Sequence, residues 1–199
     1  LSAPSLILAS ASPRRRELLA RLGVEPARII ATDIDETPVP RELPRTYATR
    51  MAREKALAAI DDFIQNNGGT PAYILSGDTV VACGRRILPK ADDEATARDC
   101  LALLSGRRHT VLSAVALRAP DGTLRERLNE TVVRFKRLSD EEIAAYLAGG
   151  EWQGKAGGYA IQGAAEGLVE WIAGSHSGVM GLPLHETRTL LKAAGFSIA

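Results

Sequence analysis

The sequence predicts an α/β fold, and three observations carry the prediction. Short apolar or β-branched runs alternate with segments of helical spacing along the whole chain, and Gly, Pro and Asn/Asp punctuation separates them. The 199 residues, 45% of them hydrophobic, are enough for one buried core. No repeat or low-complexity linker divides them, so residues 1–199 are expected to form a single domain.

The elements follow in order. Ser5-Leu6-Ile7-Leu8-Ala9 is continuously apolar and too short for a helix, hence a strand. Ser12 then stands as an N-cap with Pro13 at the first helical position. Leu18, Leu19 and Leu22 give a helical face that Gly23 closes. Residues 27–32 read as a second strand and the acidic, Pro-containing residues 33–44 as a loop. Residues 46–65 contain no Gly or Pro and place Tyr47, Met51, Lys55, Ala56 and Ala59 near one face, a long helix ended by Asn66-Asn67-Gly68-Gly69.

Residues 73–75 and 79–83 are β-rich, with a turn at Gly84 and a hairpin return through Ile87-Leu88. Asp92 is placed to cap a helix over residues 94–104, which Gly106 ends. Residues 110–117 and 131–135 are further strands joined through Pro120-Asp121-Gly122. Ser139 and Glu142 have capping-box spacing for a short helix stopping at Gly149-Gly150. A Gly-rich stretch over 154–163, a strand near 168–172, a Gly/Ser loop over 174–178 and a helix after Pro183 complete the chain.

Charge and composition exclude several classes. Twenty-five Lys+Arg against 24 Asp+Glu leave a net charge of +1, so neither nucleic acid nor an anionic membrane is expected as a partner, and any anion site must be local. Cys83 and Cys100 lie in apolar stretches without a CxxC, which fits buried thiols in a reducing cytoplasm. No apolar run reaches the ~18 residues of a membrane span, and Leu1-Ser2-Ala3-Pro4 has no cationic n-region; a soluble, cytoplasmic protein is expected.

Within this frame a few side chains stand out. Arg14-Arg15-Arg16 occupy the first turn of a helix, where each exposed cation opposes the helix dipole by roughly 0.3–1 kcal/mol. A phosphate chain bound there would reverse the sign, drawing on backbone N–H groups, the hydroxyls of Ser10 and Ser12 and the guanidinium forks. The competing reading is a solvated basic turn paired with Glu17. Asp33, Asp35 and Glu36 form either a hard-cation site beside phosphates or an acidic surface loop.

Asp78 falls in a segment running into the core, where an unpaired carboxylate is costly, so it has either a metal or lysine partner or a turn-capping role after Ser76-Gly77. Lys55 and Lys90 are inward cations or snorkelling surface lysines. The stretch from Lys155 to Gly163 joins backbone freedom to the Gln162 amide, which both donates and accepts as reading a base edge requires; an irregular structural loop is the alternative. There is no P-loop, no GxGxxG and no GxSxG, and His109, His176 and His185 lack zinc-site spacing.

Taken together these blocks resemble the Maf family of nucleoside triphosphate pyrophosphatases along nearly the whole chain. The resemblance rests on Ser10-Ala11-Ser12-Pro13-Arg14-Arg15, Glu36, Arg53-Glu54-Lys55-Ala56, Gly77-Asp78-Thr79-Val80-Val81 and Lys90. It continues through Leu104-Ser105-Gly106 with His109, Lys155-Ala156-Gly157, Gln162-Gly163 and Gly181-Leu182-Pro183-Leu184. It implies a Maf/ITPase-like mixed sheet with flanking helices, two lobes around a deep cleft, and often a homodimer. It also implies hydrolysis of a nucleoside triphosphate between its α and β phosphates, giving monophosphate and pyrophosphate with Mg²⁺ or Mn²⁺.

Carried over by position, Asp78 matches the catalytic carboxylate, as proton acceptor or metal ligand. Ser10, Arg15, Glu36, Lys55 and Lys90 match the phosphate and metal shell, with Glu36 and Asp78 on the metal. Arg15, Thr79 and Gln162 match positions tied to base selection. With Ser12, Arg14 and Lys155 from the residue reading, these form the expected substrate-binding set. Asp78-Thr79 and the run from Tyr159 to Gly163 resemble the branch acting on dTTP and UTP. A 7-methyl-GTP pyrophosphatase and a nucleotide-binding regulator of septum formation are the alternatives. Two positions depart from the family pattern: Gly154, where Asp is common, and Ala91, where Pro is common.

Overall fold

The computed structural model describes residues 4–67 and 71–198; the expected turn residues Gly68 and Gly69 and the start at Leu1 lie outside them. Seven strands form one mixed sheet. They are β1 (Ser5–Ala9), β2 (Arg28–Ile29), β3 (Ala72–Cys83), β4 (Arg86–Leu88), β5 (Arg108–Arg118), β6 (Leu124–Phe135) and β7 (Val169–Ala173). The order is β2-β1-β3-β5-β6-β7, with β4 paired to β3. β1 runs parallel to β2 and β3, and the remaining pairs are antiparallel.

Six α-helices flank the sheet: α1 (Pro13–Ala20), α2 (Pro44–Asn67), α3 (Glu94–Leu104), α4 (Asp140–Ala148), α5 (His176–Met180) and α6 (Leu184–Ala193). A 3₁₀ turn, Ala164–Leu168, precedes β7. Among the described residues no helix is long and apolar enough to cross a membrane.

The sequence expectations fail in instructive places. β3 is one 12-residue strand that joins both β-rich runs, so Asp78 sits mid-strand and the turn-capping alternative falls away. The polar break Ser76-Gly77-Asp78 stays extended because β5 pairs with it without interruption, from Ile74↔Arg118 to Ala82↔Thr110. Ser76 Oγ then donates to the Ala52 carbonyl of α2 at 2.5 Å, which satisfies a buried hydroxyl. The second strand shrinks to two residues, since β2 is the sheet edge and pairs only with Ile7 and Leu8 of β1. Asp93, not Asp92, caps α3, accepting from the Thr96 amide at 2.7 Å. The expected Gly/Ser loop near 174–178 winds into α5 because Ser175 Oγ accepts the Gly178 amide at 3.0 Å. The Ser139–Glu142 capping box of α4 forms as expected.

Side chains alternate along β3 and so divide the core. Val80 and Ala82 meet Ala48, Met51 and Ala52 of α2 on one face. Tyr73, Leu75 and Val81 meet Leu18 and Leu19 of α1, Leu101 of α3, Leu147 of α4 and Leu191 of α6 on the other. The same period-2 alternation sends Asp78 toward α2 and Thr79 to the opposite side. Because α1 and α2 leave the parallel strands on opposite faces, a crevice opens beyond the C-terminal end of β1, as at the switch point of other open α/β sheets. β1 pairing stops at Ala9↔Ser76 and β4 pairing starts at Val81↔Leu88, so residues 77–80 of β3 have no strand along one edge. That gap floors the site.

Candidate active site

A cleft of about 480 Å³, within the range of small-molecule sites, lies over this gap. Its walls come from the β1–α1 turn, the loop after β2, α2, the middle of β3, Lys90, residues 153–162 and the α5 end. All eleven expected site residues line this space, although Ser12 makes no side-chain cap bond to α1.

Four of them form one chain of ion pairs. Lys55, buried on α2, puts its Nζ 2.7 Å from Asp78 Oδ1 and 2.7 Å from Glu36 Oε1. Glu36 Oε2 in turn accepts from the more exposed Lys90 Nζ at 2.7 Å. Burial would raise the Glu36 pKa, but hydrogen bonds and charge from Lys55 and Lys90 outweigh it and hold the carboxyl at about 2. Asp78 Oδ1 is taken by Lys55, and its Oδ2 makes no hydrogen bond with the described residues. For Asp33 and Asp35 the acidic loop follows the surface reading, since both are exposed and Asp35 accepts the Thr37 amide at 2.9 Å in a local turn, while Glu36 turns to the lysines.

The other cations of the cleft have no carboxylate within ion-pair distance among the described residues. Arg15 donates to the Gly181 carbonyl (2.8 Å), Ser10 Oγ (3.0 Å) and Thr79 Oγ1 (3.4 Å), all neutral oxygens. It thus ties α1 to β3 and the α5 end and does not follow the reading of a solvated turn paired with Glu17; burial lowers its pKa. Arg14 Nε is buried without a partner, and burial likewise lowers the Arg14 pKa. Lys155 Nζ donates to the Gln153 carbonyl at 2.7 Å, and its pKa is lowered by burial and by Arg14. Five cations and two carboxylates line the cleft, so it is strongly positive in a protein of near-zero net charge.

The wall at 153–162 is built to approach closely. Gly157 (φ +69°) and Gly158 (φ +71°) have left-handed backbones, and a Cβ on Gly157 would stand 2.9 Å from Val81 Cγ1. The two family departures meet here: Gly154 donates its amide to the Ala91 carbonyl at 2.8 Å, and the Ala91 amide, which a proline would lack, donates to the Lys155 carbonyl at 3.0 Å. Gln162 is exposed at the rim, and its amide makes no hydrogen bond with the described residues.

Behind the wall, Tyr159 packs edge-on against Phe135 and His109, and its hydroxyl lies 2.8 Å from His109 Nε2. Burial alone pulls the His109 pKa to about 4. The unfolded chain binds that proton below about pH 6.5, so folding is increasingly disfavoured as pH falls from 6.5 toward 4, by up to about 3 kcal/mol. Thermal unfolding from pH 7 to 4.5 is expected to show this slope in the wild type and to lose it in His109→Gln. Equal slopes would remove His109 as its source. His176 and His185 are exposed.

Sequence reasoning missed the Gly181 carbonyl, the Gln153 backbone and the loop ties at Tyr47 and Arg50. No local signal marks a backbone carbonyl 166 residues from its donor. The Ser175 cap was the one available hint that this segment winds into a helix end facing the cleft.

Glu36 and Asp78 share one ammonium, so their carboxylates converge and fit a divalent cation in the manner of Mg²⁺, which takes one or two carboxylates and completes its shell with phosphate oxygens and water. Among the described residues no group of three or more His, Cys, Asp and Glu side chains comes together, so further ligands to such an ion would have to come from substrate and solvent.

The fold and cleft define a class: an α/β protein whose strongly positive crevice holds a buried carboxylate. The chain belongs to the Maf-like protein family, whose model matches residues 5–194. It is 67% identical over 195 residues to a dTTP/UTP pyrophosphatase of Novosphingobium aromaticivorans, covering 98% of this chain and 94% of the relative. Proteins of the same description from Rhodospirillum rubrum (57% identical, 98% and 90% covered) and Mesorhizobium japonicum (55%, 97% and 93%) are also similar to it.

Proposed function

We propose that the protein hydrolyses dTTP and UTP at the α–β phosphoanhydride, releasing the nucleoside monophosphate and pyrophosphate. The carrying observation is that Arg14, Arg15 and Lys155 line the cleft without acidic partners, opposite the buried Asp78. A triphosphate of charge near −4 supplies the missing anion. The names of the similar proteins from three organisms support the pyrimidine substrates.

In this reading the triphosphate lies along the α1 N-terminus and Lys155, with Ser10 and Ser12 beside it and the base at Gln162. Water attacks the α-phosphorus as the bond to the pyrophosphate oxygen breaks. Asp78 Oδ2 accepts the water proton, while Lys55 fixes Oδ1. Lys90 and Arg14 stabilise charge gathering on the leaving pyrophosphate. Mg²⁺ or Mn²⁺, held by Glu36 and Asp78, would supply further neutralisation of the phosphate oxygens. We place this activity in the cytoplasm, in a homodimer, acting on free nucleotides.

A substrate panel tests the base assignment. Gln162 presents one donor and one acceptor to a pyrimidine edge, and Gln162→Glu removes the donor and adds a charge. The wild type is expected to prefer UTP and dTTP over CTP and 7-methyl-GTP in kcat/KM. The variant is expected to lose roughly 1–3 kcal/mol of that preference, about five- to a hundredfold. An unchanged ranking would place base reading elsewhere. A preference for 7-methyl-GTP, or binding without pyrophosphate release, would overturn the proposal in favour of a purine-cap hydrolase or a binding regulator.

A further inference from the structure

Glu36 stands on a stretch without regular structure, residues 30–43, yet its two carboxylate oxygens each meet a lysine at 2.7 Å. A loop that long does not hold a side chain in one geometry by itself. The restraint comes from α2. Arg50 lays its fork on Glu42, Nε to Oε1 at 2.8 Å and Nη2 to Oε2 at 2.7 Å, and the Glu42 side chain is only 3% exposed. The same Nη2 donates to the Thr37 carbonyl at 3.2 Å, one residue beyond Glu36.

Glu42 Oε2 also accepts the Val39 amide at 3.1 Å, so the carboxylate ties the loop to itself as well as to the helix. Arg50 lies over the Tyr47 ring, 5.5 Å from its centroid, and the Tyr47 hydroxyl donates to the Glu36 carbonyl at 2.7 Å. Glu54, one turn on, draws Arg50 Nη1 at 3.3 Å. The loop is thereby fastened at Glu36 and on its C-terminal side to the helix that carries Lys55 about one turn beyond Arg50 and two beyond Tyr47.

We infer that Glu42, Arg50 and Tyr47 form a positioning clamp that fixes Glu36 against Lys55 and Lys90. The three touch no reacting atom; they act through Glu36, and the inference rests on the role given to Glu36 above. A two-point fork on a buried carboxylate holds direction as well as distance, which a lysine in place of Arg50 would not. Misplacing a reacting group by about 1 Å costs up to about a hundredfold in rate, so loss of the clamp is read in turnover before it is read in folding.

The experiment measures dTTP turnover for Glu42→Gln, Arg50→Lys and the gentler Tyr47→Phe, each alone and combined with Glu36→Gln. Thermal unfolding and amide hydrogen exchange are followed in parallel. Expected are a ten- to hundredfold fall in kcat for Glu42→Gln and Arg50→Lys, a smaller fall for Tyr47→Phe, and faster exchange confined to residues 33–43. In the Glu36→Gln background the same substitutions should change kcat by less than about twofold, because the group they position is already gone. Losses that multiply fully in that background, or unchanged kcat in the single variants, would overturn the clamp while leaving Glu36 in place. Wild-type turnover in Glu36→Gln alone would instead remove the role of Glu36, and the clamp with it. If Glu42→Gln or Arg50→Lys unfolds, Tyr47→Phe, which loses only a hydroxyl, decides by the same criterion.

Discussion

Asp78→Asn is expected to lower kcat by about 10²- to 10⁴-fold, the range for removal of a general base, while leaving the fold intact. The amide oxygen still accepts from Lys55 Nζ, so the bond at 2.7 Å survives in kind, and the strand pairing of Asp78 with Ala114 does not involve the side chain. What disappears is the charge and the capacity of the second oxygen to take a proton. Because the lost charge faced a triphosphate, nucleotide affinity should hold or rise. Equilibrium binding of a non-hydrolysable dTTP analogue, set beside steady-state kcat, separates the two effects. Wild-type kcat in this variant would take Asp78 out of the reaction.

Lys55→Met is expected to damage both folding and turnover. Lys55 and Asp78 are 7% and 6% exposed, and removing one member of a buried pair costs about 3–5 kcal/mol because the remaining charge keeps its desolvation penalty. Here the loss leaves two carboxylates, Asp78 and Glu36, facing one another. Urea unfolding at pH 8 measures the loss. A variant with wild-type stability at pH 8 would show that Lys55 is not the counter-charge that the buried carboxylates need.

The parts of this account that sequence made legible are local ones. Pro13 after Ser12, the Ser139–Glu142 box and the apolar run from Ser5 to Ala9 each express a rule spanning a few residues, and each element forms where expected. Asp78 was visible as a carboxylate in an apolar setting, and the ordered blocks around it were enough to point to the family. What stayed hidden depends on register and on distant partners. That Asp78 sits mid-strand follows from β5, and that Lys55 rather than a metal alone answers it follows from the packing of α2 across β3. Arg15 stayed open between a phosphate-binding fork and a solvated turn because nothing near it in sequence reveals the carbonyl of Gly181, and the acidic loop stayed open between a cation site and a surface loop because composition does not say which of Asp33, Asp35 and Glu36 turns inward.

Hydrolysis of UTP in ¹⁸O-enriched water, with products resolved by mass spectrometry, shows which phosphorus this cleft presents to water. Attack at the α-phosphorus leaves one ¹⁸O atom in UMP and unlabelled pyrophosphate, which is the expected result. Labelled orthophosphate with UDP, or label in the pyrophosphate, would rule it out.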